Sequence, residues 1–160
     1  MAQDDPKLNF TGRNSDLAAR WQAGVPDANG HPPERHVSVA ATGPCRHCLG
    51  EIAGGETYLI LAHRPFPKPQ PYAEVGPIFL CAAPSARYDG PAVPPLFLTC
   101  QAIMPRGYGA DNRIVYNSGQ VIPPCSIRAT AKYLFGQPAI AYLHLRSAYN
   151  NCYMCRIDPA

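Results

Sequence analysis

No stretch of this sequence approaches the roughly 20 apolar residues that a membrane span requires. The longest aliphatic cluster, Tyr58 to Ala62, is strand-sized. Clustered Lys and Arg are missing too: basic and acidic residues are mixed along the chain and the net charge is +3. The electrostatic footprint of a nucleic-acid binder is therefore absent. The N-terminus, Met1-Ala-Gln-Asp-Asp-Pro6, has neither the basic nor the apolar region of a secretory signal. Together these absences predict a cytoplasmic protein with no membrane and no nucleic acid among its partners. There is also no Gly-x-Ser-x-Gly elbow, no His-Glu-x-x-His, no Walker lysine and no dinucleotide fingerprint. No reaction is legible from motifs.

What the chain does have is proline and cysteine. It has 19 prolines in 160 residues, against a usual share of about 5%. They lie in clusters between apolar segments, which describes long stiff connections rather than a low-complexity tail. The apolar fraction of 46% is ordinary for a folded domain. The length suits one domain, read as a flexible segment over 1–13 followed by a globular unit over 14–160. Seven cysteines in a chain without a secretory signal are expected to be reduced, several of them packed as small apolar groups.

Along the chain, residues 15–23 read as a short helix. Asn14 or Ser15 is placed to cap it, Leu17, Ala18 and Trp21 share a face, and Gly24 suits the exit. Residues 25–43 hold Pro, Gly, Asn and His and read as an ordered loop or extended arm. Strands are expected over 57–63 and 76–82, and again over 139–146 and 151–157. The first three of these are expected in one sheet. Residues 96–104 fit strand or helix equally. Residues 105–112 read as a Gly-rich turn, and 113–116 with 120–122 as a hairpin around Asn117-Ser-Gly119. The best helix is 126–135, capped by Ser126, ended by Gly136, and buried through Ile127, Ala131 and Leu134. Two short helices among adjacent strands, without βαβ alternation, make the fold class α+β: mainly antiparallel sheet with long Pro-rich loops.

Two Cys-x-x-Cys pairs are present, Cys45/Cys48 and Cys152/Cys155. A four-thiolate zinc site from both would need Cys152 and Cys155 on one side. On a strand, positions three apart face opposite ways, and Tyr153-Met154 is not turn chemistry. Cys45 and Cys48 sit in a turn made by Gly43-Pro44 and Leu49-Gly50, with Arg46 and His47 between them. Positive charge favours thiolate. Cys45, Cys48 and His47 are thus the candidate redox or metal residues, set against a structural turn. The sequence assigns no cofactor, and zinc is disfavoured by this geometry.

A second set consists of polar residues beside apolar strands: Arg64, Tyr72, Glu74, Arg106, Tyr108, Asp111, Arg113, His144 and Arg146. His144 and Arg146 lie two apart and so share a strand face. Charges at strand ends are commonly solvated or paired. If these converge instead, arginines with tyrosines and a carboxylate suit a small anionic ligand. A third class of function is a protein partner reading the extended run Pro65-Phe-Pro-Lys-Pro-Gln-Pro71, whose plain alternative is a stiff connection. Neither enzyme activity nor oligomeric state is legible.

The segments Pro26-Asp-Ala-Asn-Gly30, Pro44-Cys-Arg-His-Cys-Leu49, Arg64-Pro-Phe66, Pro71-Tyr-Ala-Glu-Val-Gly-Pro-Ile-Phe79, Arg106-Gly-Tyr108, Asp111-Asn-Arg-Ile114, and Arg146-Ser-Ala148 with Asn151-Cys-Tyr153 stand in this chain. Together they resemble a bacterial family catalogued as domain of unknown function 1203. The resemblance implies one domain and a non-membrane protein, and implies no reaction or cofactor. It also implies that a paired-thiol role is not general, since relatives keeping the first cysteine of the Cys-Arg-His-Cys segment can lack the second.

Overall fold

The computed structural model describes residues 6–160. Its elements are β1 (Leu8–Thr11), α1 (Ser15–Gln22), β2 (Glu34–Val37), β3 (Thr57–His63), β4 (Gly76–Cys81), β5 (Asp89–Gly90), β6 (Ile103–Tyr108), α2 (Ile127–Phe135), β7 (Tyr142–Ser147) and β8 (Tyr153–Pro159). Short 3₁₀ turns cover Pro95–Thr99 and Pro124–Ser126. The strands form two antiparallel sheets, ordered β5-β1-β8-β7-β6 and β2-β3-β4. The fold is α+β and mainly sheet, as composition and patterning predict.

Helix α1 follows its sequence signals. The Asn14 side chain accepts from the N–H groups of Asp16 and Leu17 at 2.8 and 3.2 Å, which supplies partners for free first-turn donors. Ala18 and Trp21 are buried, and Gly24 has φ +88°. Helix α2 buries Ile127, Ala131 and Leu134, one face at helical spacing. Ser126 does not cap it with its hydroxyl, contrary to expectation. The preceding 3₁₀ turn gives Ser126 helical angles, φ −92° and ψ −1°. A capping side chain needs an extended backbone to reach the free N–H groups.

Four further expectations are corrected. The strands at 57–63 and 76–82 do not share a sheet with β7; they belong to the three-stranded sheet. The N-terminal segment read as flexible contains β1, an inner strand whose Leu8 and Phe10 are buried in the core (residues 1–5 lie outside the described residues). Pro105 to Tyr108 is not a turn but most of β6. Segments 113–116 and 120–122 do not pair with each other. Both lie along β6, with Val115 N–H donating to Gly107 O and Gln120 N–H to Pro105 O. Pro105 cannot donate, so a strand containing it belongs at a sheet edge, and this loop covers that edge.

The five-stranded sheet has two dissimilar faces. One carries Leu8, Phe10, Ile103, Leu143, Leu145, Cys155 and Ile157, packed under α2 in the largest apolar core. A second core joins α1 to the three-stranded sheet through Trp21, Leu59, Leu61, Ile78 and Leu80, and takes in Tyr153 of β8. The other face of the large sheet looks toward that second unit.

Candidate functional site

Strand alternation builds this second face. Leu143 and Leu145 enter the apolar core, so Tyr142, His144 and Arg146 project to the opposite side. The same alternation on β6 places Arg106 and Tyr108 beside them, in register with His144 and Tyr142. Strand β8 adds Tyr153 by a bulge. Leu145 pairs with Cys155, but Arg146 pairs with Tyr153, which leaves Met154 as the extra residue. Without the bulge Tyr153 would point into the apolar core. With it, Met154 takes the core position and Tyr153 joins His144 and Arg146.

The result is a layer of rings and cations. His144 is fully buried, with ring centroids of Tyr108, Tyr153, Tyr142 and Phe66 at 4.6, 4.8, 5.2 and 5.3 Å. Tyr153 stacks edge-on to His63, the last residue of β3, at 5.9 Å. The guanidinium groups of Arg156, Arg106 and Arg13 stand over Tyr142, Tyr108 and Tyr153 at 3.8, 5.5 and 5.8 Å, a favourable placement over the electron-rich ring face.

Glu74 ties the rim together. Its two oxygens accept from Arg106 at 3.1 Å and from Arg146 at 3.0 Å. Arg146 also donates from Nε to Asn151 Oδ1 and from Nη2 to Asn151 O. A cleft of about 210 Å³ opens here, lined by His63, Glu74, Arg146, Asn151, Cys152 and Tyr153 among others. Among the described residues, the buried polar side-chain atoms without a hydrogen-bond partner are Arg13 Nε, His63 Nε2, Arg64 Nε, both nitrogens of His144, Arg146 Nη1 and Tyr153 Oη; His63, Arg146 and Tyr153 line the cleft, and Arg13 and His144 pack against Tyr153. Arg13 faces the Tyr153 hydroxyl without closing a hydrogen bond in good geometry. None of these atoms is a carboxylate or amide oxygen.

Both histidines are held neutral. Burial, reinforced by Arg13, Arg46 and Arg64, pushes His63 down to about 2. Burial, with Arg146 as the next cause, pushes His144 well below its ordinary value. Desolvation penalises a second positive charge, and nearby arginines add repulsion. The tyrosines move the other way: burial raises Tyr108 and Tyr153, and Tyr142 to about 12.

Of the residues singled out in the sequence, Glu74, Arg106, Tyr108, His144 and Arg146 form one network, with Arg64 beside His63. Tyr72 and Arg113 make a separate surface pair, the guanidinium 5.4 Å from the ring centroid. Asp111 accepts from the Arg113 N–H within its own turn. His63 and Tyr153 are additional cleft residues, and Arg13 stands over the Tyr153 ring. Arg13 lay in the supposed flexible segment, and Tyr153 reaches the cleft through a bulge with no local signature. The proline run is a wall of the site: Phe66 is buried against Tyr108 and His144, and Gln70 donates to Asn112 O.

The thiols form a second constellation. The sulfurs of Cys45, Cys48 and Cys81 lie within 4.8 Å of one another. The Cys81 N–H donates to Cys45 Sγ at 3.3 Å. Donation by the Cys48 and Cys81 thiols lowers Cys45 from its ordinary value and raises both donors. Cys152 and Cys155 share no ligand cluster: Cys152 lines the cleft and Cys155 is in the apolar core. His47 does not join the thiols. Its Nε2 shares a hydrogen bond with Ser15 Oγ at 2.9 Å and its Nδ1 with Ser85 Oγ at 2.8 Å. Cys81 was not among the sequence candidates; it is 33 residues beyond Cys48 and arrives through strand pairing.

Residues 42–158 match the family described as "Protein of unknown function (DUF1203)", and the chain belongs to that family. Searches of curated proteins and of solved structures found no match.

Proposed function

For this member of the family we propose that the protein binds a small anion in the cleft between β7, β8 and the end of β3. The observation that carries this reading is that His63, Arg146 and Tyr153, which line the cleft, each hold a buried polar atom without a partner. A buried polar group without a partner costs about 1–3 kcal/mol, and native proteins carry few of them. Here three of the six residues that carry them line one cleft, and they supply guanidinium, imidazole and phenol groups. Glu74 is paired with two guanidinium groups, Arg106 and Arg146, which leaves an excess of positive charge on that network. A carboxylate or phosphate oxygen satisfies such donors and offsets the excess charge. Neutral histidines suit this role, because an imidazole N–H donates without adding a desolvated charge. The volume of about 210 Å³ lies below the range of about 300–1,000 Å³ typical of larger ligands, so the anion is phosphate-sized or a short carboxylate.

The test is thermal unfolding and calorimetric titration at low ionic strength with phosphate, sulfate, acetate and succinate. At least one should raise the melting temperature in a saturable way; a ligand at 100 times its Kd adds about 2.7 kcal/mol of stability. Arg146→Gln should abolish that response and Arg113→Gln should leave it intact. If no anion stabilises the protein, or if both variants respond like the wild type, the reading is wrong.

A further inference from the structure

The thiol cluster stands apart from the cleft, and its geometry asks for its own explanation. Cys45 and Cys48 are held by a tight turn in which Leu49 N–H donates to Cys45 O and Cys45 N–H to Gly50 O, at 2.8 and 2.9 Å. Leu49 has φ +55°, the left-handed region that a branched residue rarely adopts. Its side chain is buried, so packing holds the backbone in that shape. The turn is stitched to β4: Cys45 bridges to Phe79, and Arg46 N–H donates to Phe79 O at 2.9 Å. Strand alternation then puts Cys81, two residues on, beside the turn, where its own N–H donates to Cys45 Sγ. Two segments far apart in sequence thus deliver three sulfurs to one point.

Arg46 makes the second, independent observation. It is 6% exposed, and its guanidinium donates to Tyr153 O and Pro44 O. Among the described residues no carboxylate pairs with it. A buried cation held by neutral carbonyls requires a compensating negative charge nearby. Three thiolates leave a net charge of about −1 around a divalent ion and about −2 around a monovalent one, so either supplies negative charge on the turn that carries Arg46.

We propose that Cys45, Cys48 and Cys81 form a three-thiolate site for a soft, thiophilic ion, Zn²⁺ or Cu⁺. Thiolates select these ions over hard cations. Binding displaces the thiol protons to solvent and forms three metal–sulfur bonds, with no oxidation of sulfur. Zinc–sulfur bonds of about 2.3 Å fit inside sulfurs already within 4.8 Å of one another after small rotations. Zinc keeps an open fourth position for water or an external ligand, and Cu⁺ is content with three. A redox disulfide is the competing chemistry, but it uses two sulfurs and gives Cys81 no role.

The experiment uses the full chain, purified under anaerobic reducing conditions and incubated with Zn²⁺ or Cu⁺ against a chromophoric chelator. Elemental analysis after desalting should find one ion per chain, and the competition identifies which ion is held more tightly. Cys81→Ser and Cys48→Ser should weaken binding by more than the roughly 10–100-fold that losing a supporting hydrogen bond costs. Cys125→Ser and Cys100→Ser should leave it unchanged. Because Cys45 is fully buried and its variant risks misfolding, X-ray absorption on the wild-type complex provides a second measure, with three sulfur neighbours expected. The proposal is overturned if no ion is retained, if Cys81→Ser binds like the wild type, or if the shell is nitrogen and oxygen. Stable oxidation of Cys45 to Cys48 in preference to metal uptake would also overturn it.

Discussion

Leu143 and His144 are neighbours on β7, and each is 0% exposed, yet the two faces they enter are built on opposite principles. Leu143 joins an apolar layer sealed by α2, where every group is at home without a partner. His144 enters a layer of rings and arginines in which both of its nitrogens lack one. Burial on the first face is favourable by about 25 cal/mol per Å² of apolar surface. Burial on the second removes hydration from polar atoms and returns little of it. A protein selected for stability alone would fill both faces alike. The contrast teaches that the first face holds the fold together, while the second is held in place by it with several polar groups left unsatisfied.

The sharpest test is to remove mass from the apolar face. Leu143→Ala should cost about 2–5 kcal/mol of unfolding free energy, through lost burial plus a cavity. Denaturant titration measures it, and anion affinity of the still-folded variant should be unchanged. Loss of anion binding without loss of stability would break the division between the faces.

Acid should act on the other face. His63 and His144 are neutral when folded, whereas in the unfolded chain a histidine takes up its proton near pH 6.5. Below that pH the unfolded state binds more protons, so stability falls as pH falls, and for His63 the loss continues to about pH 2. Each imidazole contributes about 1.4 kcal/mol per pH unit, so the pair should cost about 3 kcal/mol between pH 7.5 and pH 5.5. Denaturant titrations at the two pH values check this. A His63→Phe, His144→Phe double variant should show a flatter dependence, and a wild type already flat over that range would contradict the buried neutral histidines.

The smallest effects belong to the charges. Glu74→Gln leaves Arg146, whose side chain is 6% exposed, without its carboxylate, and should cost about 1–2 kcal/mol. It should also tighten anion binding by removing the resident negative charge. Arg113→Ala, at an exposed guanidinium over Tyr72, should change stability by less than about 0.5 kcal/mol. Equal effects of the two substitutions on stability and affinity would mean that Glu74 does not organise the cleft.

Much of this was legible in order along the chain. Asn14, Trp21 and Gly24 announce α1, and Ile127, Ala131 and Leu134 announce α2, because capping and helical period are set by residues within a few positions of one another. The apolar runs of β3 and β7 were readable for the same reason, as was the shared face of His144 and Arg146. Of the polar set, Glu74, Arg106, Tyr108, His144 and Arg146 meet in one network.

Tertiary structure alone decided the rest. Which sheet each strand joins depends on pairing across long loops, and the entropy of closing those loops leaves no mark on the residues closed. So the division into two sheets, the inner place of β1, and the docking of 113–122 along β6 were invisible locally. The bulge that turns Tyr153 toward the cleft exists only as a mismatch between two strands. Cys81 looked like one more small apolar residue until β4 carried it to Cys45 and Cys48. The sequence by itself determined the two helices and the apolar strands β3, β4, β7 and β8, because those follow from near neighbours and from water. Which side chains stand together follows from strand register and sheet order, which belong to the assembled chain.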